Sequence, residues 1–428
     1  MLSKEQNDLV TQTGPDTPGG KLFRQYWQPI ALVADIEDDQ PIALKVMDEE
    51  LVLFRDQEGK LGLLGLHCPH RGGDLSYGRI EDGGLRCVYH GWVFGVNGKC
   101  LEQPAEPPGH TFCDRIKQKS YPLKVLGGMI FTYMGTGEPP ALPEWECLIA
   151  PESHRFISRS RERCNWLQGF EGDIDPYHLS FLHLALNRAK TGVGTSAIGP
   201  FHEFFTKGVP RMEVERTDFG VRIYAMRDLG DQSYLRLSNY VLPNIAAVAG
   251  GAIDGDGYMM LWHVPIDDVS HVKYQLAFKR SQPVDIEKEK ADAVMHWKLG
   301  SNTLPERNAT NRWMQDRKSM KEEWFAGLGS SFALHDNWAT ETMGPIYDRS
   351  QEHLGHGDKG IVGARRALLQ AIEDQAAGGE IPFHLGERQA MKDKINEIVV
   401  TSLLAPDKDK YREVFQDLLA ASNRKAAE

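Results

Sequence analysis

The chain has 428 residues, 41% hydrophobic and 25% charged, the ordinary composition of a globular protein that can bury a sizeable core. Its 49 basic and 60 acidic residues give a net charge of −11, which argues against a surface that binds nucleic-acid phosphates. No apolar stretch approaches the ~18 residues of a membrane span, and the N-terminus lacks an apolar signal region. We therefore predict a cytoplasmic protein without a membrane partner.

The predicted elements divide the chain into three parts. Residues 1–25 are polar and are predicted as an N-terminal arm. Short apolar segments and an Asn97-Gly98 hairpin signal predict an all-β domain over 26–137. Residues 138–428 are predicted as an α+β domain, with helices over 160–190, antiparallel strands over 205–280 and helices again beyond 285.

The C-terminal helices are predicted from the spacing of their apolar residues. One stripe ends before Gly378-Gly379 and consists of Ile361, Arg365, Leu368, Leu369 and Ile372. A last amphipathic helix is indicated by Val414, Phe415, Leu418 and Leu419.

Two short loops of the predicted β domain each combine a cysteine with a histidine: Cys68 with His70, and Cys87 with His90. Thiolate and imidazole suit zinc as well as iron. A structural zinc site usually pairs Cys with Cys and His with His along the chain. The alternating order found here instead lets both cysteines bind one iron and both histidines the other, as in a Rieske [2Fe–2S] centre. We therefore favour the Rieske centre over zinc.

The other four cysteines have no partner at ligand spacing. We interpret them as small buried apolar side chains, because we expect a reducing compartment, where disulfides are rare. They are Cys100, Cys113, Cys147 and Cys164.

A second group of candidate ligands lies in the α+β domain, where His178 and His183 are separated by five positions. Five residues turn ~140° on a regular helix, so one metal can bind both only if the helix bulges or breaks. The alternative is that both are structural histidines. Asp175 also has a structural interpretation, because Asp before Pro176 is a good helix N-cap.

With both groups present in this order, the chain resembles the Rieske non-haem iron oxygenases, specifically their catalytic α subunit. Residues 165–173 resemble the phthalate dioxygenase branch, which includes aromatic O-demethylases. The matching motifs are Cys68-x-His70, Cys87-x2-His90 and Asp175-x2-His178-x4-His183.

The resemblance implies a helix-grip fold for the second domain, a [2Fe–2S] cluster and a mononuclear Fe(II) bound by two histidines and one carboxylate. The segment from His335 to Trp338 resembles the one that supplies the carboxylate, so Asp336 is the predicted third ligand. The branch commonly has Gln where this chain has His335. Asp348 and Asp358 are the alternative carboxylates, interpreted respectively as an ion-pair partner of Arg349 and as a loop or cap residue.

The resemblance also implies how electrons arrive. Asp175 is expected to link an iron-binding histidine to a cluster-binding histidine of a neighbouring subunit, in a homotrimer or a dimer of trimers. The chain has no flavin or nicotinamide fingerprint, so the donor is expected to be a flavin/iron–sulfur NAD(P)H reductase or a ferredoxin.

The predicted activity is hydroxylation or O-demethylation of an aromatic carboxylate with O2. Arg211 and Arg236 lie in predicted strands and are candidates to bind the carboxylate, although we favour the alternative that each is an exposed strand residue. The alternative function is a Rieske electron-transfer protein without oxygenase activity, which would need only about the first 110 residues.

Overall fold

Three small antiparallel sheets form the first part of the molecule in the computed structural model, which describes residues 1–37, 39–191, 208–249, 256–292, 297–382, 402–405, 410–417 and 420. Their strands are β1 (Gln28–Leu32), β2 (Ile42–Val46), β3 (Glu49–Arg55), β4 (Leu61–Gly65), β5 (Arg79–Glu81), β6 (Gly84–Arg86), β7 (Val93–Phe94), β8 (Cys100–Glu102), β9 (Leu123–Leu126) and β10 (Met129–Thr132). The sheet orders are β1-β10-β9, β2-β3-β4 and β5-β6-β7-β8. Gly98, with a φ of 78°, turns the chain between β7 and β8, as the predicted hairpin requires.

A larger antiparallel sheet forms the second part. Its strands are β11 (Arg155–Glu162), β12 (Arg211–Arg216), β13 (Gly220–Asp228), β14 (Ser233–Val241), β15 (Ile245–Ala249), β16 (Gly257–Asp267), β17 (Ser270–Lys279) and β18 (Ser402–Ala405). The order is β11-β17-β16-β15-β14-β13-β12, and β18 also pairs with β14. The antiparallel strands predicted over 205–280 are confirmed within the described ranges 208–249 and 256–279.

Helices cover this sheet. They are α1 (Lys4–Thr11), α2 (Pro18–Phe23), α3 (Glu146–Ile149), α4 (Trp166–Ile174), α5 (Arg188–Thr191), α6 (Ile286–Asp292), α7 (Ser319–Glu322), α8 (Phe332–Glu341) and α9 (Lys359–Ala376). α4 packs on β15, β16 and α8, while α9 packs on β12 and β13. The predicted stripe of α9 is buried, and the helix ends before Gly378, whose φ is 74°. Residues 411–417 are helical and Phe415 is buried, whereas Leu418 and Leu419 lie outside the described residues.

The helix predicted over 160–190 is mostly wrong. Residues up to Glu162 belong to β11, and α4 stops at Ile174 because the following Asp175-Pro176 pair disfavours helical geometry. A 3₁₀ turn, His178–Ser180, lies beyond the break. The two histidines therefore do not share a regular helix, which meets the geometric condition for a common metal.

The predicted N-terminal arm is a packed part of the fold. Its two helices, α1 and α2, contact α9, and Val10 and Leu22 are buried. Backbone hydrogen bonds also join the two main parts, from Met47 N to Pro265 O at 2.8 Å and from Asp48 N to Ile266 O at 2.9 Å. The α+β class, a β domain followed by a sheet-plus-helix domain, is confirmed. Among the helices that the structure describes, none is long and apolar enough to cross a membrane.

Candidate cluster and metal sites

The two Cys–His loops have the same backbone geometry. One follows β4 and the other joins β6 to β7. In each loop the cysteine N–H donates to a carbonyl five residues later at 2.8 Å, and a glycine four residues after the cysteine donates back to its carbonyl. These glycines, Gly72 and Gly91, have φ values of 74° and 75°, a conformation that other residues rarely adopt. Two equivalent loops therefore present one thiol and one imidazole each.

The side chains of these loops fit a shared cluster. The rings of His70 and His90 lie 4.4 Å apart, and Cys68 and Cys87 are each 3% exposed. His70 Nδ1 is buried and has no hydrogen-bond partner among the described residues, as a nitrogen that binds metal requires. The donor set of two sulfurs and two nitrogens suits a Rieske cluster.

His178, His183 and Asp336 converge on one point, and their ligand atoms all lie within 4.8 Å of one another. Asp336 Oδ1 is 3.0 Å from His183 Nε2 and 3.6 Å from His178 Nε2. The two Nε2 atoms are 3.2 Å apart, and a cation between them would satisfy both lone pairs. Two imidazoles and one carboxylate are the donors of a facial triad that leaves positions open for O2 and substrate. The group therefore fits a mononuclear iron.

The charged side chains of this site shift the pKa values of Asp336 and His178. Burial alone would raise the pKa of Asp336, but the charges of His183 and His178 lower it to about 2. Burial alone would lower the pKa of His178, but the hydrogen bond and charge of Asp175 raise it. The site therefore stabilises the ionised form of the Asp336 carboxylate and the protonated form of the His178 ring.

Asp336 reaches the two histidines through the position of α8. The helix begins after Ser331, whose Oγ accepts a hydrogen bond from Leu334 N at 3.3 Å. Asp336 lies in its second turn, next to His335, which is fully buried. Packing of α8 against α4 brings this carboxylate to the segment that carries His178.

His335 sets the tautomer of His183. Its Nε2 lies 2.9 Å from the carbonyl oxygen of Gly329, which can only accept, so this nitrogen carries the proton. In the neutral ring Nδ1 is then an acceptor, and it lies 3.2 Å from Nδ1 of His183. His183 accordingly donates from Nδ1, so that when its ring is neutral the Nε2 that faces Asp336 is unprotonated. Burial lowers the pKa of His335 to about 4, so the ring is neutral.

Asp175 accepts backbone hydrogen bonds from the turn that follows it and also lies beside the ring of His178. Its side chain accepts hydrogen bonds from Tyr177 N at 2.7 Å and His178 N at 3.2 Å, which caps the 3₁₀ turn. Asp175 Oδ2 is also 3.5 Å from His178 Nδ1. About a quarter of its side chain, 23%, is exposed, so a further group can approach the carboxylate.

The alternative carboxylates lie elsewhere. Asp348 accepts hydrogen bonds from Ser350, and the predicted ion pair with Arg349 is wrong because Arg349 binds Glu171 at 2.9 Å. Asp358 accepts from Gly355 N at 2.6 Å just before α9, so its interpretation as a loop or cap residue is confirmed.

A buried charged cluster, which sequence analysis missed, lies on α4, β11, β16 and β17. Its members are Glu162, Asp173, His263, His271 and Lys273. Lys273 Nζ is 3.1 Å from Glu162 and 3.5 Å from Asp173. Although burial acts the other way, these charges and that of Asp336 raise the pKa of Lys273. Polar residues inside otherwise apolar strands were the only signal for this cluster.

The two candidate arginines lie in different environments. Arg211 is exposed at the start of β12, 5.8 Å from the ring of Tyr411. Arg236 is half-buried on β14, close enough to Arg227 for its charge to act there.

Arg227 itself was not predicted, and its guanidinium donates to Pro176 O at 2.7 Å, beside the His178 segment. Its Nε and Nη1 are buried and have no hydrogen-bond partner within the part of the chain that the structure describes. Burial, reinforced by Arg236, lowers its pKa to about 10.

Two family models match most of the chain. The model described as "Rieske [2Fe-2S] domain" matches residues 26–122, and the one described as "LigXa C-terminal domain like" matches residues 132–413. The first range contains both Cys–His loops, and the second contains His178, His183 and Asp336.

Curated relatives cover nearly the whole chain. The phthalate 4,5-dioxygenase oxygenase subunit of Pseudomonas putida is 34% identical over 91% of this chain and 90% of its own length. The 5,5'-dehydrodivanillate O-demethylase oxygenase subunit of Sphingobium sp. (strain NBRC 103272 / SYK-6) is 33% identical over 88% and 82%. The tert-butanol monooxygenase / tert-amyl alcohol desaturase oxygenase subunit of Aquincola tertiaricarbonis is 37% identical over 86% and 76%.

The fold is shared with a solved oxygenase. The terminal oxygenase of carbazole 1,9a-dioxygenase from Nocardioides aromaticivorans IC177 matches with a TM-score of 0.59 and 19% identity, over 86% of this chain and 97% of that one. The chain belongs to the Rieske non-haem iron oxygenases, as an oxygenase subunit of the phthalate dioxygenase-like branch. Its cofactors are a Rieske [2Fe–2S] cluster and a mononuclear iron.

Proposed function

We propose that this oxygenase uses O2 to hydroxylate or O-demethylate an aromatic carboxylate at an iron held by His178, His183 and Asp336. The observation that carries the proposal is the convergence of two imidazoles and one carboxylate within 4.8 Å. Iron bound there supplies the redox chemistry of O2 activation.

In the proposed scheme, Cys68, Cys87, His70 and His90 hold the cluster that delivers electrons. A separate reductase or ferredoxin reduces it, because the chain carries no flavin or nicotinamide motif. Val88 and Tyr89, 57% and 56% exposed beside His90, offer an apolar surface for the donor or for a neighbouring subunit of a trimer.

Asp175 is proposed to connect the two centres between subunits. It already lies 3.5 Å from His178 Nδ1, and a carboxylate can accept N–H hydrogen bonds from two imidazoles at once. The neighbouring subunit's cluster-binding histidine would provide the second bond.

The substrate carboxylate is proposed to bind Arg236, with Arg227 behind it. Arg227 lies beside the His178 segment, and Arg236 is close enough to Arg227 for its charge to act there. Two neighbouring cationic groups favour an anionic substrate over a neutral one. The relative that acts on tert-butanol makes a small tertiary alcohol the second candidate.

The test is substrate-dependent O2 uptake and product analysis with the reduced protein and a reductase. Phthalate, methoxybenzoates, phenoxybenzoates and tert-butanol form the panel. We expect product from an aromatic acid, a KM raised roughly 10–100-fold by Arg236→Met, and little effect of Arg211→Met. Turnover of tert-butanol alone would contradict the carboxylate assignment, whereas absence of oxygenation after Asp348→Ala but not Asp336→Ala would contradict the ligand assignment.

A further inference from the structure

Two cysteines outside the proposed ligand set lie side by side in the first domain. Cys100 begins β8 and Cys113 begins a 3₁₀ turn, and their Sγ atoms are 2.8 Å apart. Cys100 is 2% exposed, whereas Cys113 is partly exposed. Cys100 belongs to the apolar core of this domain, as predicted, and Cys113 packs against that core and also contacts Cys100.

The backbone around the two thiols holds them together. Cys100 N donates to Ile116 O at 3.3 Å, and Ile116 N donates to Cys113 O at 3.1 Å. Gln118 N donates to Gly98 O at 2.7 Å on the other side of the pair. The sulfur contact is thus fixed by local backbone pairing, and a small movement brings the atoms to the ~2.05 Å of a disulfide.

The segment between the cysteines covers the second cluster loop. Phe112 packs edge-on against Trp92 at 5.9 Å, and Trp92 stacks on His70 at 4.5 Å. At the other end, a side-chain carbon added to Gly91 would be 3.0 Å from Pro104. A bond between Cys100 and Cys113 would join the two ends of the segment 101–112, which lies over the second cluster loop.

We propose that Cys100 and Cys113 form a reversible dithiol–disulfide pair that locks residues 101–112 over the cluster loops when a hydroperoxide is present. This inference goes beyond the oxygenase function and does not depend on the substrate. Where disulfides occur in a reducing compartment, they are usually redox-sensing or catalytic.

The chemistry balances with hydrogen peroxide as the oxidant. The partly exposed Cys113 sulfur, as thiolate, attacks one peroxide oxygen, so that an S–O bond forms, the O–O bond breaks and hydroxide leaves. The Cys100 sulfur then attacks Cys113, and the second oxygen leaves as water with the thiol proton. Two thiols are oxidised to one disulfide, and peroxide is reduced to two waters.

The sequence makes the product easy to detect. Trypsin cuts after Lys99 and Arg115, so both cysteines fall in one peptide, residues 100–115. The holoprotein is treated with hydrogen peroxide while its visible spectrum is followed, and free thiols are then alkylated under denaturing conditions. We expect peptide 100–115 to be unalkylated and about 2 Da lighter than the dithiol form.

Reduction with dithiothreitol should restore two alkylated thiols. In the matched control, Cys113→Ser, Cys100 should remain alkylated at the same dose, as should the fully buried Cys147 of the parent. Two alkylated thiols in peptide 100–115 after treatment would overturn the proposal. So would a sulfinic acid at Cys113, or loss of the cluster spectrum before the bond forms.

Discussion

The unprotonated ring nitrogen of His183 is determined by a residue outside the proposed ligand set. His335 accepts from His183 Nδ1 and donates to Gly329 O, and glutamine can make both bonds whereas leucine can make neither. We therefore expect His335→Gln to retain mononuclear iron and His335→Leu to bind it about 10–100-fold more weakly.

Iron titration of both variants, with the Rieske spectrum as the control for folding, measures this difference. Equal iron affinity in the two variants would show that His335 only fills space. Loss of iron in both would show that the imidazole itself is required.

Asp175 allows a second test at the residue scale. Asn retains an oxygen that can cap the 3₁₀ turn, but it is neutral and cannot accept equally from two imidazoles. We expect Asp175→Asn to keep both metals and slow cluster reoxidation by about 10–100-fold in a single turnover of prereduced protein with substrate and O2. Normal reoxidation would leave Asp175 only its capping role.

At the scale of elements, α4 depends on the absence of a side chain at Gly169. An added Cβ would lie 2.5 Å from Glu162 Oε2 and 2.6 Å from His271 Nε2, inside the buried charged cluster. We expect Gly169→Ala to lower Tm by about 2–5 °C despite the better helix propensity of alanine. Gly172→Ala on the same helix is the matched control, because its nearest contact is 3.3 Å away, and its Tm should stay close to that of the parent. Equal Tm values for the two variants would argue against tight packing at Gly169.

Glu341, the last residue of α8, gives the fold a pH dependence. Burial, with the charge of Glu162, raises the pKa of Glu341 to about 7, above the ~4.3 of an unfolded chain. The folded state therefore holds a proton that the unfolded state has lost, and the stability from this group is full below about pH 4 and disappears as the pH rises through about 7.

The variant Glu341→Gln keeps an oxygen to accept from Arg163 N but cannot ionise. We expect it to match the parent in Tm near pH 4 and to exceed it increasingly up to about pH 8. Thermal unfolding across this range checks the difference, and parallel curves for the two proteins would exclude Glu341 as the source.

The elements also show where sequence patterns succeed. The stripe of α9 follows its periodicity because one apolar surface determines it. The strands after residue 208 form where they were predicted, although β13 and β15 are buried on both faces. The segment around His178 does not, because Asp175-Pro176 breaks the helix and side-chain hydrogen bonds organise the 3₁₀ turn beyond it. The buried cluster around Lys273 was unpredictable, since its members pair only after three strands and a helix come together.

At the scale of the molecule, the loop motifs identify local ligand pairs, but Asp336 joins His178 and His183 only through the packing of α8 against α4. The resemblance to the oxygenase family predicted that a carboxylate completes the set and selected Asp336, and the fold brings Asp336 to the two histidines. Arg227 could not be predicted from the sequence, because its position beside Pro176 depends on sheet register and not on any motif.

The most direct test that one chain holds two metal sites is to measure both the iron content and the visible spectrum of Asp336→Ala. Asp348→Ala is the control. We expect about three iron atoms per chain in the parent and in Asp348→Ala, and about two in Asp336→Ala with the Rieske spectrum unchanged. An Asp336→Ala protein that keeps the third iron, or one that loses the cluster spectrum together with it, would contradict the account.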